Sequence, residues 1–201
     1  EGTTAPIKEI SKLCLKNDSK LLIDEAHAFG VMGSGGRGES FGLKEPISII
    51  SGTFGKAFGS GGAFLATDKT TGENLIQTCG AFRYTTALAP SLCASALAAL
   101  NLIERNPNWG IRLQEKSIAL RDKLSHIGWQ RPTGKGPIIS IILGSDELTM
   151  DYQKRLEAHG LLTIAIRPPT VPEGKSRLRL VIRRNTPVQA FESLIEVLKN
   201  K

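Results

Sequence analysis

Leu21-Leu-Ile-Asp24 decides the fold: three apolar residues run without a polar break and stop at a carboxylate. An uninterrupted apolar run of this length reads as a strand buried on both faces. Upstream, Pro6 to Lys16 places Ile7, Ile10, Leu13 and Cys14 at helical spacing, with Lys8, Lys12 and Lys16 on the other faces, and Asn17-Asp-Ser19 breaks the pattern. A helix feeding a buried strand is the grammar of an α/β layer. Downstream, Pro46 to Gly52, with Ile47, Ile49 and Ile50, reads as a second buried strand, and Gly62 to Ala66 as a third. Two glycine-rich loops, Gly33-Ser-Gly-Gly-Arg-Gly38 and Gly59-Ser-Gly-Gly62, lie among these strands, where backbone can approach a ligand closely.

Pro90 to Arg105 is rich in Ala and Leu and almost uncharged until Glu104, the composition of a helix buried nearly all round. Asn106-Pro-Asn108 interrupts it, and a helix over Trp109 to Ile127 opens a segment of different style. Ile138 to Leu143 and Leu161 to Ile166 read as strands flanking a helix over Leu148 to His159. Arg177 to Arg183 alternates basic residues with Leu178, Leu180 and Ile182, the mark of a half-buried antiparallel strand whose basic face is solvated or ion-paired. A capping box opens the last helix, with Thr186 as N-cap, Pro187 at the first turn and Gln189 three residues on. The expectation is two domains: residues 1–106, part of a large α/β domain, and residues 107–201, a small α+β domain.

Composition removes other classes. The longest mostly apolar stretch, Leu92 to Ile103, carries Ser95 and Asn101 and is too short to cross a bilayer. Three cysteines, Cys14, Cys79 and Cys93, lack metal-ligand spacing and cannot all pair, so a reducing cytoplasm fits and neither a zinc site nor a disulfide scaffold is expected. The net charge is +7, yet Lys and Arg are scattered and aromatics make up only 5% of the residues, which reads as a solvated surface rather than a nucleic-acid-binding face. The chain begins at Glu1, already in the middle of a folding pattern, which reads as a fragment.

The chemistry sits between the strands. Asp24 closes a strand at its carboxyl end, the edge where open α/β sheets place ligands. His27 faces the same ligand only if the chain turns after Asp24. Lys56, in Thr53-Phe-Gly-Lys-Ala-Phe-Gly59, keeps apolar company that favours the neutral, nucleophilic amine. Thr53 and the nearby glycines are suited to phosphate oxygens. An amine nucleophile, a carboxylate for a pyridinium nitrogen and an imidazole for a phenolic oxygen are the groups that hold pyridoxal phosphate. Taken singly, each has a structural reading: Asp24 capping a turn, Lys56 reaching into solvent, Arg167 in a surface ion pair.

Leu22-Ile-Asp-Glu-Ala-His-Ala-Phe-Gly-Val31, Gly36-Arg-Gly38, Ser51-Gly-Thr-Phe-Gly-Lys-Ala-Phe-Gly59 and Tyr84-Thr-Thr-Ala-Leu-Ala-Pro90 closely resemble the α-oxoamine synthases, fold-type I pyridoxal phosphate enzymes. The resemblance runs through both halves, with Ile166-Arg-Pro-Pro-Thr-Val-Pro172 and Ser176-Arg-Leu-Arg-Leu180 in the second. It implies a decarboxylating condensation of an amino acid with an acyl thioester, and the second-half motif points to L-alanine and a pimeloyl group on CoA or carrier protein. It also implies that Lys56 carries the cofactor and moves the substrate proton, that Asp24, His27 and Thr53 contact the cofactor, and that Thr85 and Thr86 reach the phosphate in the partner subunit of a homodimer. Arg167 would bind the amino-acid carboxylate and Thr170 position the substrate. Family members carry a further upstream portion, so these residues would supply half of an active site. Ala89 stands where many relatives have proline.

Two rivals are weaker. Asp24-Glu-Ala-His27 also spells a helicase DEAH box, but Gly55-Lys56 has Ile50 where the phosphate loop's first glycine belongs and Ala57 in place of its Ser or Thr. A non-catalytic partner subunit would lack the lysine, and Lys56 is present.

Overall fold

A computed structural model describes residues 1–199. The chain forms two compact units, Ala5–Gly110 and a second made of Ile111–Lys201 with Glu1–Thr4.

The first unit opens with α1 (Ile7–Lys16) and β1 (Leu22–Asp24), followed by a long loop to β2 (Ile49–Thr53), β3 (Ala63–Thr67), α2 (Lys69–Thr78), the single turn α3 (Gly80–Arg83) and α4 (Pro90–Arg105). The sheet order is β1-β2-β3. β1 and β2 run parallel with Asp24 opposite Ser51, and β3 returns antiparallel with Ala63 opposite Thr53. The strand expected from Pro46 starts three residues later, at Ile49, and the one expected from Gly62 starts one residue later, at Ala63. Helices α2 and α3 are additions to the elements expected from the sequence. The first is opened by Asp68, whose carboxylate accepts from Thr71 N at 2.9 Å and Thr71 Oγ1 at 2.6 Å, a cap that satisfies an otherwise orphaned helix amide.

Two burial expectations fail in this unit. β1 is not buried on both faces: Ile23 is buried but Leu22 is 57% exposed. α4 is not buried all round, for only Ala96 is buried while Leu97 and Leu102 are 59% and 51% exposed. Leu13, placed on the apolar stripe of α1, is exposed as well. Apolar composition reports a surface that gains from being covered, by about 25 cal/mol per Å²; among the described residues nothing covers these faces.

The second unit has a complete core. Its sheet, ordered β4-β6-β5, is antiparallel and comprises β4 (Ile138–Gly144), β5 (Ile164–Ile166) and β6 (Ser176–Val181). The alternation sends Leu178, Leu180, Ile139 and Ile141 to one face. There they meet Leu120 and Leu124 of α5 (Trp109–His126), Tyr152 and Leu156 of α6 (Asp146–Ala158), and Leu194 and Leu198 of α7 (Val188–Lys199). Each such side chain contributes about 2 kcal/mol by leaving water. Arg121 of α5 is fully buried and donates to the carbonyls of Ser117, Thr133, Gly136 and Ile138. Burial, and after it the charge of Arg131, pushes its pKa down.

Of the two states expected for the basic face of β6, solvated or ion-paired, Arg177 takes the second, pairing with Glu1, and it is more buried than a half-buried strand implies. Arg179 is half-buried, and its Nε is buried without a hydrogen-bond partner among the described residues. The capping box does not form either. Thr186 Oγ1 accepts from Arg183 N at 2.9 Å, on the upstream side, and α7 begins at Val188.

Candidate functional site

The parallel register of β1 and β2 brings the carboxyl ends of both strands to one edge of the sheet. Asp24 is the last residue of β1, and Thr53 the last of β2. The chain turns directly after Asp24, as a ligand shared with His27 requires: Asp24 Oδ1 accepts from Ala26 N at 2.8 Å, and Ala28 N and Phe29 N both donate to Glu25 O. The turn role of Asp24 is thus real, but it occupies one oxygen. Oδ2 makes no hydrogen bond among the described residues and the residue is exposed.

Lys56 sits at the tip of the β2–β3 connection. Phe54 N donates to Gly62 O and Ser60 N to Phe54 O, both at 2.9 Å, and Gly59 N donates to Lys56 O at 3.0 Å. Ser60 Oγ ties the turn to Leu92 O of α4 at 2.7 Å. Beneath it Phe29 stacks on Phe58 at 4.7 Å between centroids, with Phe54 and Phe64 edge-on to Phe29 at 6.4 and 5.2 Å. The flanking Phe54 and Phe58 pack edge to face at 5.3 Å, completing a platform, while Lys56 itself is exposed and its amine has no hydrogen bond or ion pair among the described residues. The apolar sheath expected around the amine is absent there, because the rings on either side point into the unit's interior.

Thr53 differs from the expectation of a free phosphate contact. Its hydroxyl donates to Gly62 O at 3.0 Å and accepts from Gly55 N at 3.1 Å. A hydroxyl has one proton to give, so in this arrangement Thr53 locks the lysine turn rather than offering a donor. Thr85 and Thr86 lie in the exposed segment between α3 and α4, and no hydrogen bond links them to the lysine turn. Leu88 of that segment does pack on the turn's end: a Cβ on Gly62, whose φ is +94°, would lie 2.4 Å from Leu88 Cδ1.

Arg167 and Thr170 belong to the second unit. Thr170 N donates to Arg167 O at 3.0 Å, closing a turn around the Pro168–Pro169 cis peptide. Both side chains are exposed, and among the described residues the Arg167 guanidinium makes no ion pair of the kind its alternative reading requires. Sequence reasoning places Arg179 on a solvated or ion-paired strand face and gives it no chemistry; its signal, an arginine inside an alternating strand, does not reveal a buried Nε without a partner among the described residues.

The donor set at the sheet edge fits pyridoxal phosphate in two respects: an unpaired lysine amine, and a strand-end carboxylate with one oxygen to spare. Among the described residues no group of three His, Cys, Asp or Glu side chains could hold a metal ion, and no helix is long and apolar enough to cross a membrane.

Solved structures share this architecture. Serine palmitoyltransferase of Sphingomonas wittichii superimposes with a TM-score of 0.90 at 27% identity, over 98% of this chain and 51% of that one. Serine palmitoyltransferase from S. paucimobilis with bound PLP and myriocin gives 0.89 at 27% identity, over 98% and 51%. The 8-amino-7-oxononanoate synthase of Francisella tularensis gives 0.81 at 27%, over 94% and 57%. The fold is therefore that of the fold-type I pyridoxal phosphate transferases, of which the chain carries part. The family profile for aminotransferase class I and II matches residues 1–198, and the chain belongs to that family. Curated relatives include a putative 8-amino-7-oxononanoate synthase of Acetivibrio thermocellus, 40% identical over all of this chain and 51% of its own length. Another, the 8-amino-7-oxononanoate synthase of Methylobacillus flagellatus, is 37% identical over 98% of this chain and 50% of its own. The chain spans about half the length of the curated relatives it matches.

Proposed function

We propose that these residues belong to a pyridoxal phosphate-dependent α-oxoamine synthase that condenses L-alanine with a pimeloyl thioester, giving 8-amino-7-oxononanoate, carbon dioxide and the free thiol. The observation that carries the reading is the pairing of an unpartnered Lys56 amine with the half-free Asp24 carboxylate at one sheet edge. Two curated relatives bearing the 8-amino-7-oxononanoate synthase name, at 40% and 37% identity, support the choice of substrates.

Pyridoxal phosphate supplies an electron sink that stabilises negative charge at the amino acid's Cα. Lys56 would hold the cofactor through its amine and then take and return the Cα proton. Asp24 Oδ2 would accept from the ring N–H, keeping the ring cationic, and His27 would meet the phenolic oxygen. Arg167, with Thr170 on the same turn, would bind the amino-acid carboxylate, a role that suits a planar fork of donors. Thr53 would serve the cofactor by fixing the lysine turn or by exchanging its bond to Gly62 O for a phosphate oxygen. Thr85 and Thr86 would reach the phosphate held by a second copy in a homodimer, in the cytoplasm.

One alternative has its own support: the similarity to serine palmitoyltransferase structures, with TM-scores of 0.89 and 0.90, favours a related condensation of serine or glycine with another acyl-CoA. The test is to add pyridoxal phosphate, reduce with borohydride, and map the labelled peptide. In the full-length protein that contains these residues, label on a lysine other than Lys56, or none, overturns the mechanism. Product analysis with L-alanine, L-serine and glycine against pimeloyl-CoA and palmitoyl-CoA then separates the two readings.

A further inference from the structure

Glu25 follows Asp24 and is only 3% exposed, unusual for a carboxylate, which is seldom buried without partners. Every polar group it owns is engaged. Its N–H donates to Ser51 O at 2.8 Å, extending the parallel pairing by one residue, and its carbonyl accepts from Ala28 N at 2.8 Å and Phe29 N at 2.7 Å. Its carboxylate reaches across the loop, where Oε1 accepts from Ser40 N at 2.7 Å and Oε2 from Glu39 N at 3.1 Å. The receiving loop is shaped for it. Gly38 has φ +96°, and a Cβ there would lie 2.8 Å from both Cδ and Oε1 of Glu25. Gly30 N donates to Gly36 O at 2.7 Å and Gly38 N to Met32 O at 2.9 Å, so the glycine-rich segment folds back on the turn it serves.

We propose that Glu25 is a positioning residue: its buried carboxylate clamps the turn bearing Asp24 and His27 onto the Gly36-Arg-Gly-Glu-Ser40 loop and so fixes both side chains for the cofactor. This rests on the cofactor reading above, but the clamp itself is geometry. Asp24 and His27 flank a residue whose amide, carbonyl and carboxylate are each tied to a different segment, namely β2, the following turn and the glycine loop. Releasing the carboxylate removes the side-chain tie to Glu39 N and Ser40 N and leaves the turn joined to the loop by the backbone bonds Gly30 N to Gly36 O and Gly38 N to Met32 O. The clamp also accounts for the Gly36-Arg-Gly38 motif, because glycine at position 38 leaves room for a carboxylate to approach backbone amides.

The test uses Glu25→Gln and Gly38→Ala in the full chain. Glutamine keeps the volume and one acceptor but turns the other oxygen into an N–H donor facing an amide N–H, so Glu39 or Ser40 loses its partner. Amide hydrogen exchange at those positions should speed by about tenfold or more, while β2 and β3 amides stay protected. Pyridoxal phosphate affinity, titrated by absorbance, should fall by about tenfold. Gly38→Ala should reproduce both effects, and the double variant should be little worse than either single one, because both act on one contact. If Gly38→Ala does not fold, Glu25→Gln carries the test alone. Unchanged exchange at Glu39 and Ser40 overturns the clamp. Faster exchange with unchanged cofactor affinity overturns the positioning role and leaves a loop staple. Protected amides but no affinity for pyridoxal phosphate in the wild-type full-length protein that contains these residues overturns the cofactor reading, and the positioning role with it.

Discussion

Asp24→Asn separates the structural from the chemical work of one side chain. In the structure Oδ1 holds the turn by accepting from Ala26 N at 2.8 Å. Asparagine keeps a carbonyl oxygen for that bond, so the fold should lose no more than about 0.5 kcal/mol, the usual scale for an exposed substitution. The second oxygen becomes an NH2 group, which cannot accept from a ring N–H. What is lost is a charge-assisted hydrogen bond, about 1.5–3 kcal/mol, together with the anion that keeps the ring protonated. Taking the lower figure because Asp24 is exposed in this chain, cofactor affinity or turnover should drop at least about tenfold. The assay is urea denaturation for the fold, then pyridoxal phosphate titration and single-turnover product formation for the site. Equal turnover and affinity in the variant would refute the assignment of Asp24. A large loss of stability would instead show that the turn, not the free oxygen, is what the carboxylate is for.

Thr53→Val should cost about 1–2 kcal/mol in denaturant unfolding, because Gly55 N loses its acceptor and Gly62 O one of its donors, whereas Thr53→Ser should stay near wild type; equal losses for both would show that the methyl packing matters and the hydroxyl does not. Arg121→Ala should destabilise by about 3 kcal/mol or more, since the carbonyls of Thr133, Gly136 and Ile138 each lose a guanidinium donor and a buried side chain leaves a void, and a melt within a degree of wild type would disprove that cage. The hydrogen bond from the Thr71 hydroxyl holds the Asp68 carboxyl below the ordinary carboxylate range. A depressed pKa contributes stability above the unfolded value that is lost as pH falls through the folded value, so the first turn of α2 should fray in acid. Carbon-detected NMR should find Asp68 titrating lower in wild type than in Thr71→Val, and identical titrations would rule out the cap as the cause.

What was legible in the sequence was whatever the backbone imposes locally. Asp24 could be placed at a strand end, and the turn after it inferred, because a three-residue apolar run followed by a carboxylate has few other conformations open to it. Glycines at positions 36, 38 and 62 announced close approaches, and each has a positive φ with a neighbour where a Cβ would sit. Less legible was everything that depends on which of two partners a group finds. Thr186 had an acceptor role written into a capping pattern and spends it on Arg183 N, one turn too early. Thr53 read as a phosphate donor, but a hydroxyl at the end of β2 has Gly62 O within 3.0 Å, and an intramolecular carbonyl is always present at full effective concentration. For Arg177 the alternation leaves two states open, solvated or ion-paired, because it assigns a face without saying what lies over it; Glu1 lies there and decides for the ion pair.

The same distinction explains why the two units were read unequally well. The second unit covers its apolar alternation from within, so that Leu178 and Leu180 find Leu124, Leu156 and Leu198, and periodicity translated directly into burial. In the first unit Leu22, Leu97 and Leu102 keep half or more of their surface although their residue types and spacing are those of a core. Periodicity measures the demand for cover; the supply depends on other residues, and the described ones do not meet it. The Lys56 turn behaves differently from both, because the Thr53 hydroxyl and the backbone bonds of Phe54, Gly59 and Ser60 that organise it lie within a few residues of it, the bond from Ser60 Oγ to Leu92 O of α4 being an added long-range tie. A reactive side chain held by such short-range ties keeps its backbone geometry whether or not the distant apolar faces are covered. A weakly packed first unit should therefore still show ordered amides at Phe54, Gly59 and Ser60, while the amides of α4 exchange first.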